Sequence, residues 1–393
     1  MSGPPTKKRR GEGNRKITRE ELKGIVSNAI QINHPTASLA LLYIIDEYDF
    51  HLESLQEIIL EKGLDASFSD VKYNRIAPFV GLDPLEFLQD IETFELHRSR
   101  IPTVLLRSII EDMDIMLKQY GPVFVHETEE ATSRLLSPIF HRLIAEFGSA
   151  FRNIPESILG GRVTTKGRTE YYLRAFGSVS VLVIGFEKVG NERECLNAIA
   201  QVIAECNACD WKNSIAGLAV PVFGILWDGT FFQFFKFVGA QKIPHSFLRG
   251  AFAGDPPRFQ RGLMLPDPTT DGTTLPFIQV VRLISETVFD LLLCAHLWSI
   301  EAFRDRSVNR GSVAGKRKQG SGKWDNAVNS AQQALIHFRH ADEKRQKMDK
   351  DGANQALSAA QAFLTRSIEE VPTTTRTIIP FITDWDDNDI ELA

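Results

Sequence analysis

Apolar residues recur at helical spacing over most of this chain and abandon that spacing in one central stretch. From residue 17 to residue 122 they follow the period of amphipathic helices, as in Leu41, Ile44, Ile45 and Tyr48, and again in Leu105, Ile109, Met113 and Met116. Thr18 and Glu21 form a capping box at the start of this region, and Ile17 and Leu22 are spaced as a hydrophobic staple. Pro35, Gly63, Pro78, Pro84, Pro102 and Pro122 divide it into short helices, because proline lacks an N–H and restricts the residue before it. Glu127 to Phe147 predicts one more amphipathic helix, with Leu135, Leu136, Ile139, Phe140, Leu143 and Ile144 on one side and a kink or split at Pro138.

The pattern then changes. Tyr171 to Phe176 and Val179 to Val189 predict two strands joined by a tight turn at Gly177-Ser178. Glu192 to Ala208 predicts a helix with Leu196, Ile199, Ala200, Val202 and Ile203 inward, and with Gln201 and Glu205 one turn apart. Ala219 to Leu226 and Phe231 to Val238 predict two further strands, joined through Asp228-Gly229, a pair suited to a type I′ hairpin. Helical spacing returns with one long helix, Leu275 to Phe303, and a helix pair from Asp325 to Ile368 that turns at Asp351-Gly352. The resulting division is a tail at 1–16, a helical N-terminal region at 17–122 and an α/β core at 123–240. A loop and long helix at 241–305, a basic flexible loop at 306–324, C-terminal helices at 325–370 and an acidic tail at 371–393 complete it.

Composition narrows the class. The 393 residues are 43% hydrophobic and 24% charged, which excludes disordered, collagen-like and coiled-coil chains and permits a large core. Forty-five basic against fifty acidic side chains give a net charge of −5, so any nucleic-acid contact needs a local basic face. One such face is the stretch Arg306 to Trp324, where Arg306, Arg310, Lys316, Arg317, Lys318 and Lys323 occur with four glycines and no acid. It reads as a flexible loop able to dock a DNA or RNA phosphate backbone, or else as a solvated linker. Asp384, Asp386, Asp387, Asp389 and Glu391 reverse the sign near the C-terminus. Lys7, Lys8, Arg9 and Arg10 form a compact cationic cluster of the kind an import receptor binds, which places the protein in the nucleus; as a mere solubilising tail it would leave the protein in the cytoplasm. The longest apolar run, Thr287 to Ile300, is broken by Asp290 and His296 and falls short of the ~20 residues a membrane helix needs. Cys195, Cys206, Cys209 and Cys294 follow no secretory segment and are expected as thiols.

The order helix, strand, strand, helix, strand, strand resembles the core of the restriction-endonuclease-like PD-(D/E)XK nuclease superfamily, and more narrowly a nuclease-like domain of mushroom-forming fungi. The resemblance rests on Thr169 to Gly177, Val183 to Lys188, Ala200 to Glu205 and Pro221 to Gly229. It implies an α+β fold with a mixed-sheet core flanked by helical N- and C-terminal regions, and Mg²⁺-dependent phosphodiester hydrolysis on DNA or RNA. Glu170 then stands where the first acidic metal ligand belongs, Glu187 where the second is sought, Lys188 at the phosphate-facing lysine, and Gln201 at a polar orienting position on the helix. Phe186, not an acid, stands two residues before Lys188, so Glu187 reaches that face only if a bulge at Gly185 shifts the strand's phase. Without it the domain is an inactive module that binds nucleic acid or protein.

Each residue also has a plainer reading. Glu170 fits a solvent-facing strand edge, Glu187 an ion pair on the far face, Gln201 a bond to a nearby backbone carbonyl, and Glu129 and Glu130 the first turn of a helix. Cys206 and Cys209 lack the second pair a zinc site needs, and His296, His337 and His340 have no ligand spacing. No phosphate-binding glycine loop or nucleophile elbow occurs. Phe231, Phe232, Phe234, Phe235 and Phe237 fit a central strand packed on both faces better than base stacking.

Overall fold

A computed structural model of the chain describes residues 67–84, 91–122, 125–126, 129–154, 157–164, 167–169, 171–177, 179–186, 192–227, 231–239, 244–255, 262–270, 272–313 and 321–372. All belong to one compact unit. The capping box at Thr18, the helical pattern around Leu41, the Lys7 to Arg10 cluster, the Asp228-Gly229 turn and the acidic tail lie outside the described residues.

The helical elements are α1 (Tyr73–Ile76), α2 (Thr103–Tyr120), α3 (Glu129–Ala145), α4 (Glu192–Ile215), α5 (Thr274–Val313), α6 (Ser321–Gln346) and α7 (Lys350–Glu370). The strands are β1 (Thr93–Leu96), β2 (Phe151–Asn153), β3 (Ser157–Leu159), β4 (Gly167–Thr169), β5 (Tyr171–Ala175), β6 (Val179–Phe186), β7 (Val222–Trp227), β8 (Phe231–Val238), β9 (Ser246–Phe252) and β10 (Leu263–Met264). Eight of them form one mixed sheet in the order β1-β9-β8-β7-β6-β5-β2, with β10 paired to β8; β3 and β4 pair separately. The chain is thus a mixed α/β protein. The parallel pairs are β6 with β7 and β1 with β9, and α4 is the crossover that a parallel β6–β7 connection requires.

The prolines act largely as expected. Pro102 precedes α2, and Gly121, with φ 75°, ends it just before Pro122. Pro138, however, does not divide α3, which runs unbroken past it. Proline removes the N–H that would bond the Arg134 carbonyl, and the Ser137 hydroxyl donates to that oxygen instead at 2.8 Å.

The β5–β6 pair and the β7–β8 pair form as the alternation predicts, with Phe176 (φ 48°) and Gly177 (φ 70°) turning the first hairpin. Phe176 holds this uncommon backbone while its N–H bonds the Ala150 carbonyl at 2.7 Å. The sheet nevertheless exceeds the expected 123–240 core at both ends. β1 lies in the region read as wholly helical, and β9 in the segment read as a loop. Their parallel pairing, Thr93 with Arg249 through Leu96 with Phe252, joins segments far apart in sequence, and four residues are too few for a strand period to stand out.

The two faces of the sheet are packed differently. On one lies α4, drawn close because β7 offers Gly224: a Cβ there would meet Val202 Cγ1 at 2.5 Å and Cys206 Sγ at 3.2 Å. Phe235 stacks on Phe247 on this side, and His245 sits between Phe237 and Phe79. On the other face lie α3 and α5, where Trp298 of α5 stacks on Phe223 and the Lys236 ammonium sits over Phe94 and Trp298. β8 is therefore a buried central strand, as its aromatic run predicts.

The C-terminal helices extend the expected ones. α5 continues ten residues past Phe303, and α6 begins at Ser321. The basic segment 306–324 is therefore helix, not loop, at 306–313 and at 321–324; residues 314–320 lie outside the described set. Phe303 and Trp324 stack with ring planes 4° apart, which fixes the two helix ends against each other. The α6–α7 turn falls at residues 347–349, earlier than Asp351-Gly352. Asp349 is the N-cap of α7, its carboxylate accepting the Gly352 N–H at 2.9 Å, while Met348 carries φ 63°. Among the described residues no helix is long and apolar enough to cross a membrane.

Three buried polar residues tie α5 to its neighbours. Glu286 is fully buried and receives hydrogen bonds from Arg98 and Arg100, in the linker between β1 and α2. Burial raises its pKa above the usual glutamate range, and the two arginines oppose that rise. One turn on, Asp290 accepts the Ser99 hydroxyl at 2.8 Å and both arms of the Arg339 guanidinium of α6 at 2.8 Å. Further along, His296 is enclosed by Phe147, Phe151 and Phe176 and shares a 2.8 Å hydrogen bond with Ser367 of α7.

Two measurements follow from this packing. Glu286→Gln leaves buried guanidinium charge without its counter-ion and is expected to lower unfolding free energy by about 3 kcal/mol, read from urea denaturation. Burial depresses the His296 pKa from 6.5 to about 3. Below pH 6.5 the unfolded chain then takes up a proton that the folded chain refuses, so stability falls as pH drops from 6.5 toward 3. Between about pH 7.5 and about pH 5 the wild type should lose about 2 kcal/mol that a His296→Gln variant does not, by the same denaturation at both pH values.

Candidate functional site

The residues assigned to chemistry cluster, in sequence, at one end of the β5–β6 pair. Tyr171, the first residue of β5, pairs with Ile184, two residues before the end of β6, so these strand ends lie side by side. Glu170 immediately precedes β5, and Glu187 and Lys188 immediately follow β6; all three lie outside the described residues.

The ladder beside them bears on the expected bulge. β6 pairs with β7 residue for residue from Leu182 with Phe223 to Phe186 with Trp227, so the β6–β7 ladder passes Gly185 without a bulge. The irregularity is in the β5–β6 pairing: Leu173 faces Leu182 while Arg174 faces Ser180, which leaves Val181 as the extra residue. Two neighbours, Val181 and Leu182, are consequently both buried in the same hydrophobic cluster. The glycine serves a different purpose. A Cβ on Gly185 would lie within 4.0 Å of Leu226, Val202 and the Glu205 carboxylate, so Gly185 faces α4.

Gln201 is described, half-buried on α4. Its side-chain amide donates to Glu205 Oε1 at 3.2 Å, so its partner is a carboxylate one turn along and not a strand carbonyl. Glu205 is 2% exposed, a buried acid turned toward β6. Sequence spacing shows the Gln201–Glu205 pair but not that the acid is buried, because a Glu on a helix is ordinarily solvated.

Other polar groups near these strands escaped the sequence reading. Tyr171 packs against Phe140 and His141 of α3, at ring separations of 5.5 Å and 6.0 Å. Desolvation lowers the His141 pKa below the usual histidine range and raises that of Glu146, the residue after α3. Farther along α4, Asp210 takes the Arg162 guanidinium at 2.8 Å, Asn207 accepts the Arg162 backbone N–H at 3.0 Å, and Arg162 lies over the Trp211 ring. Gly161 and Gly239 allow this approach: Cβ atoms there would meet Ala208 Cα at 2.9 Å and the Asp210 carboxylate. This cluster fastens the segment before β4 to α4 and accounts for Asp210 and Trp211 structurally.

The remaining candidates are dispersed. Cys206 and Cys209 are fully buried thiols on α4, and burial raises the Cys206 pKa. Arg306 is half-buried on α5, Lys323 is exposed on α6, and Arg310 lies in α5. Lys316, Arg317, Lys318, Lys7, Lys8, Arg9 and Arg10 lie outside the described residues, as do the side chains of Glu129 and Glu130 at the start of α3. Among the described residues no group of three or more His, Cys, Asp or Glu is arranged to hold a metal, and the two expected ligands are not among them.

Comparison with known families finds no family model that matches the chain. No curated protein matches it either.

Breaking the Gln201–Glu205 contact gives a local test. Gln201→Ala leaves a buried carboxylate short of one donor and is expected to cost about 1 kcal/mol of stability, measured by urea denaturation beside the wild type.

Proposed function

We propose that this chain carries a restriction-endonuclease-like core and hydrolyses phosphodiester bonds of DNA or RNA with a divalent cation such as Mg²⁺. The observation that carries this reading is the chain path. A helix, α3, leads into the antiparallel strands β2, β5 and β6, and the crossover α4 leads to β7 parallel to β6. The same path brings the start of β5 beside the end of β6, which are the two points that Glu170 and Glu187-Lys188 flank. Carboxylate oxygens are the hard donors that Mg²⁺ takes, so Glu170 and Glu187 suit it chemically. A bound cation there lowers the pKa of a water and stabilises the developing phosphate charge. The work left to the chain is to hold the scissile phosphate, by Lys188, and to fix the helix polar groups, by Gln201 through Glu205. Gln201 is in this reading a positioning residue. The Lys7 to Arg10 cluster fits the same reading as an import signal toward nuclear substrates.

The uninterrupted β6–β7 ladder favours a second reading. A bulge at Gly185 was the device that would carry Glu187 onto the lysine's face, and the ladder passes Gly185 without one. In that case the domain keeps the fold and binds nucleic acid or protein without cutting.

Calorimetric titration with Mn²⁺, paired with cleavage of labelled single- and double-stranded DNA and RNA, separates the two. For the nuclease, Glu170→Ala should abolish metal binding and cleavage, and Lys188→Ala should abolish cleavage while metal binding persists. No heat at millimolar Mn²⁺, with nucleic acid still retained, would instead establish the inactive module.

A further inference from the structure

The edge of the sheet beside α4 carries positive charge that the fold does not use. β2 ends the sheet, and its antiparallel pairing with β5 sets Arg152 directly opposite Arg174. Residues paired in this way share one face, and like charges so placed repel each other. Tyr172 lies two residues before Arg174 and therefore on the same face. That face is the one α4 covers, because the Lys212 ammonium of α4 sits 5.5 Å from the Tyr172 ring centroid. The Arg174 guanidinium lies 6.0 Å from that same centroid. Three cations thus run in a row from the sheet edge to the helix, beside one buried ring.

Arg174 and Lys212 are not neutralised. Among the described residues neither side chain makes an ion pair or a hydrogen bond, and the Arg174 Nε is buried without an acceptor. Asp210, the acid nearest to Lys212 along α4, is taken by Arg162 at 2.8 Å. Burial lowers the Lys212 pKa, and the Arg174 charge lowers it further. Both side chains are half-buried, so they keep a surface that an anion reaches. A guanidinium fork takes two oxygens of one phosphate, and an ammonium acts as a point charge on another. A row of such groups matches a chain of phosphates better than a lone ion, which meets only part of it.

We propose that Arg174 and Lys212, with Arg152 beside them, hold successive phosphates of a nucleic-acid backbone and so position the strand. The inference rests on the reading above for its ligand but shares no residue with the metal site. Arg174 stands three residues after Tyr171, about 10 Å along β5 from the end that Glu170 precedes, where phosphates flanking the scissile one would lie.

Binding of labelled single- and double-stranded DNA and RNA to the full chain is followed by fluorescence anisotropy in EDTA over a range of NaCl concentrations. Cleavage then does not intervene, and a metal site that fails to bind Mn²⁺ strikes the nuclease reading while leaving this measurement intact. Arg174→Gln and Lys212→Gln should each weaken binding about tenfold at low salt. Each should also reduce the slope of log affinity against log salt by about 0.7 for a single strand or about 0.9 for a duplex, the loss of one phosphate contact. Arg174→Lys and Lys212→Arg keep the charge and should keep the slope, which a loss of packing alone would not move. Thermal unfolding of the same samples checks that the variants fold; should Arg174→Gln fail to, Lys212→Gln, near the end of α4, decides. An unchanged slope, no binding of any of the four nucleic acids, or displacement of the strand by inorganic phosphate where NaCl of equal ionic strength has no effect would overturn the proposal.

Discussion

Glu286 and Asp290 lie one helical turn apart near the middle of α5, withdrawn from water, and three segments of the chain meet to neutralise them. The β1–α2 linker contributes Arg98, Ser99 and Arg100; α6 contributes Arg339; α5 itself contributes Arg282. Backbone bonds follow the same path, from the Ser99 N–H to the Glu286 carbonyl and from the Arg100 N–H to the Phe338 carbonyl. A buried carboxylate without such partners would be expelled or protonated, so the position of the linker, and with it the register of β1 on β9, is tied to these two acids. The sheet edge and the C-terminal helices are in this way parts of a single packing arrangement.

The sheet separates two kinds of interior. On the α4 side the helix comes close because glycines on β6 and β7 leave room, and the space between is filled by small and polar groups: Cys206, Val202, Gln201 and Glu205. On the α3 and α5 side large rings dominate, with Trp298 on Phe223 and the cluster of Phe147, Phe151 and Phe176 about His296. Near the β5 and β6 ends the α4 side thus presents Gln201 and Glu205, while on the other side His141 of α3 lies beside Tyr171 within a largely aromatic wall.

Elements with a local signal were legible in the sequence. The helical spacing through Leu105, Ile109 and Met113, the alternation in Tyr171 to Phe176, and the apolar strand Phe231 to Val238 all appear where they were read, because each pattern is complete within one element. Candidate chemistry was less legible. Gln201 was picked out as a polar residue on an apolar helix, yet its partner proved to be a buried Glu205, and nothing in spacing distinguishes a buried glutamate from a solvated one. His141, Glu146 and Arg162 gave no signal, since a lone titratable side chain on an amphipathic segment is ordinary until its neighbours are known.

By itself, the sequence determined the alternation of helix and strand, the thiol state expected of the cysteines and the need for a local rather than global basic surface. These follow from periodicity and composition, which are properties of adjacent residues. Tertiary structure alone decided the parallel pairing of β1 with β9, the bulge at Val181, the helical character of 306–313, and the gathering of arginines about Glu286. The first and the last of these join segments far apart in the chain. A four-residue strand, a one-residue shift of register or an ion pair across 186 positions leaves no periodic trace, and becomes determined only when burial forces distant polar groups to find one another.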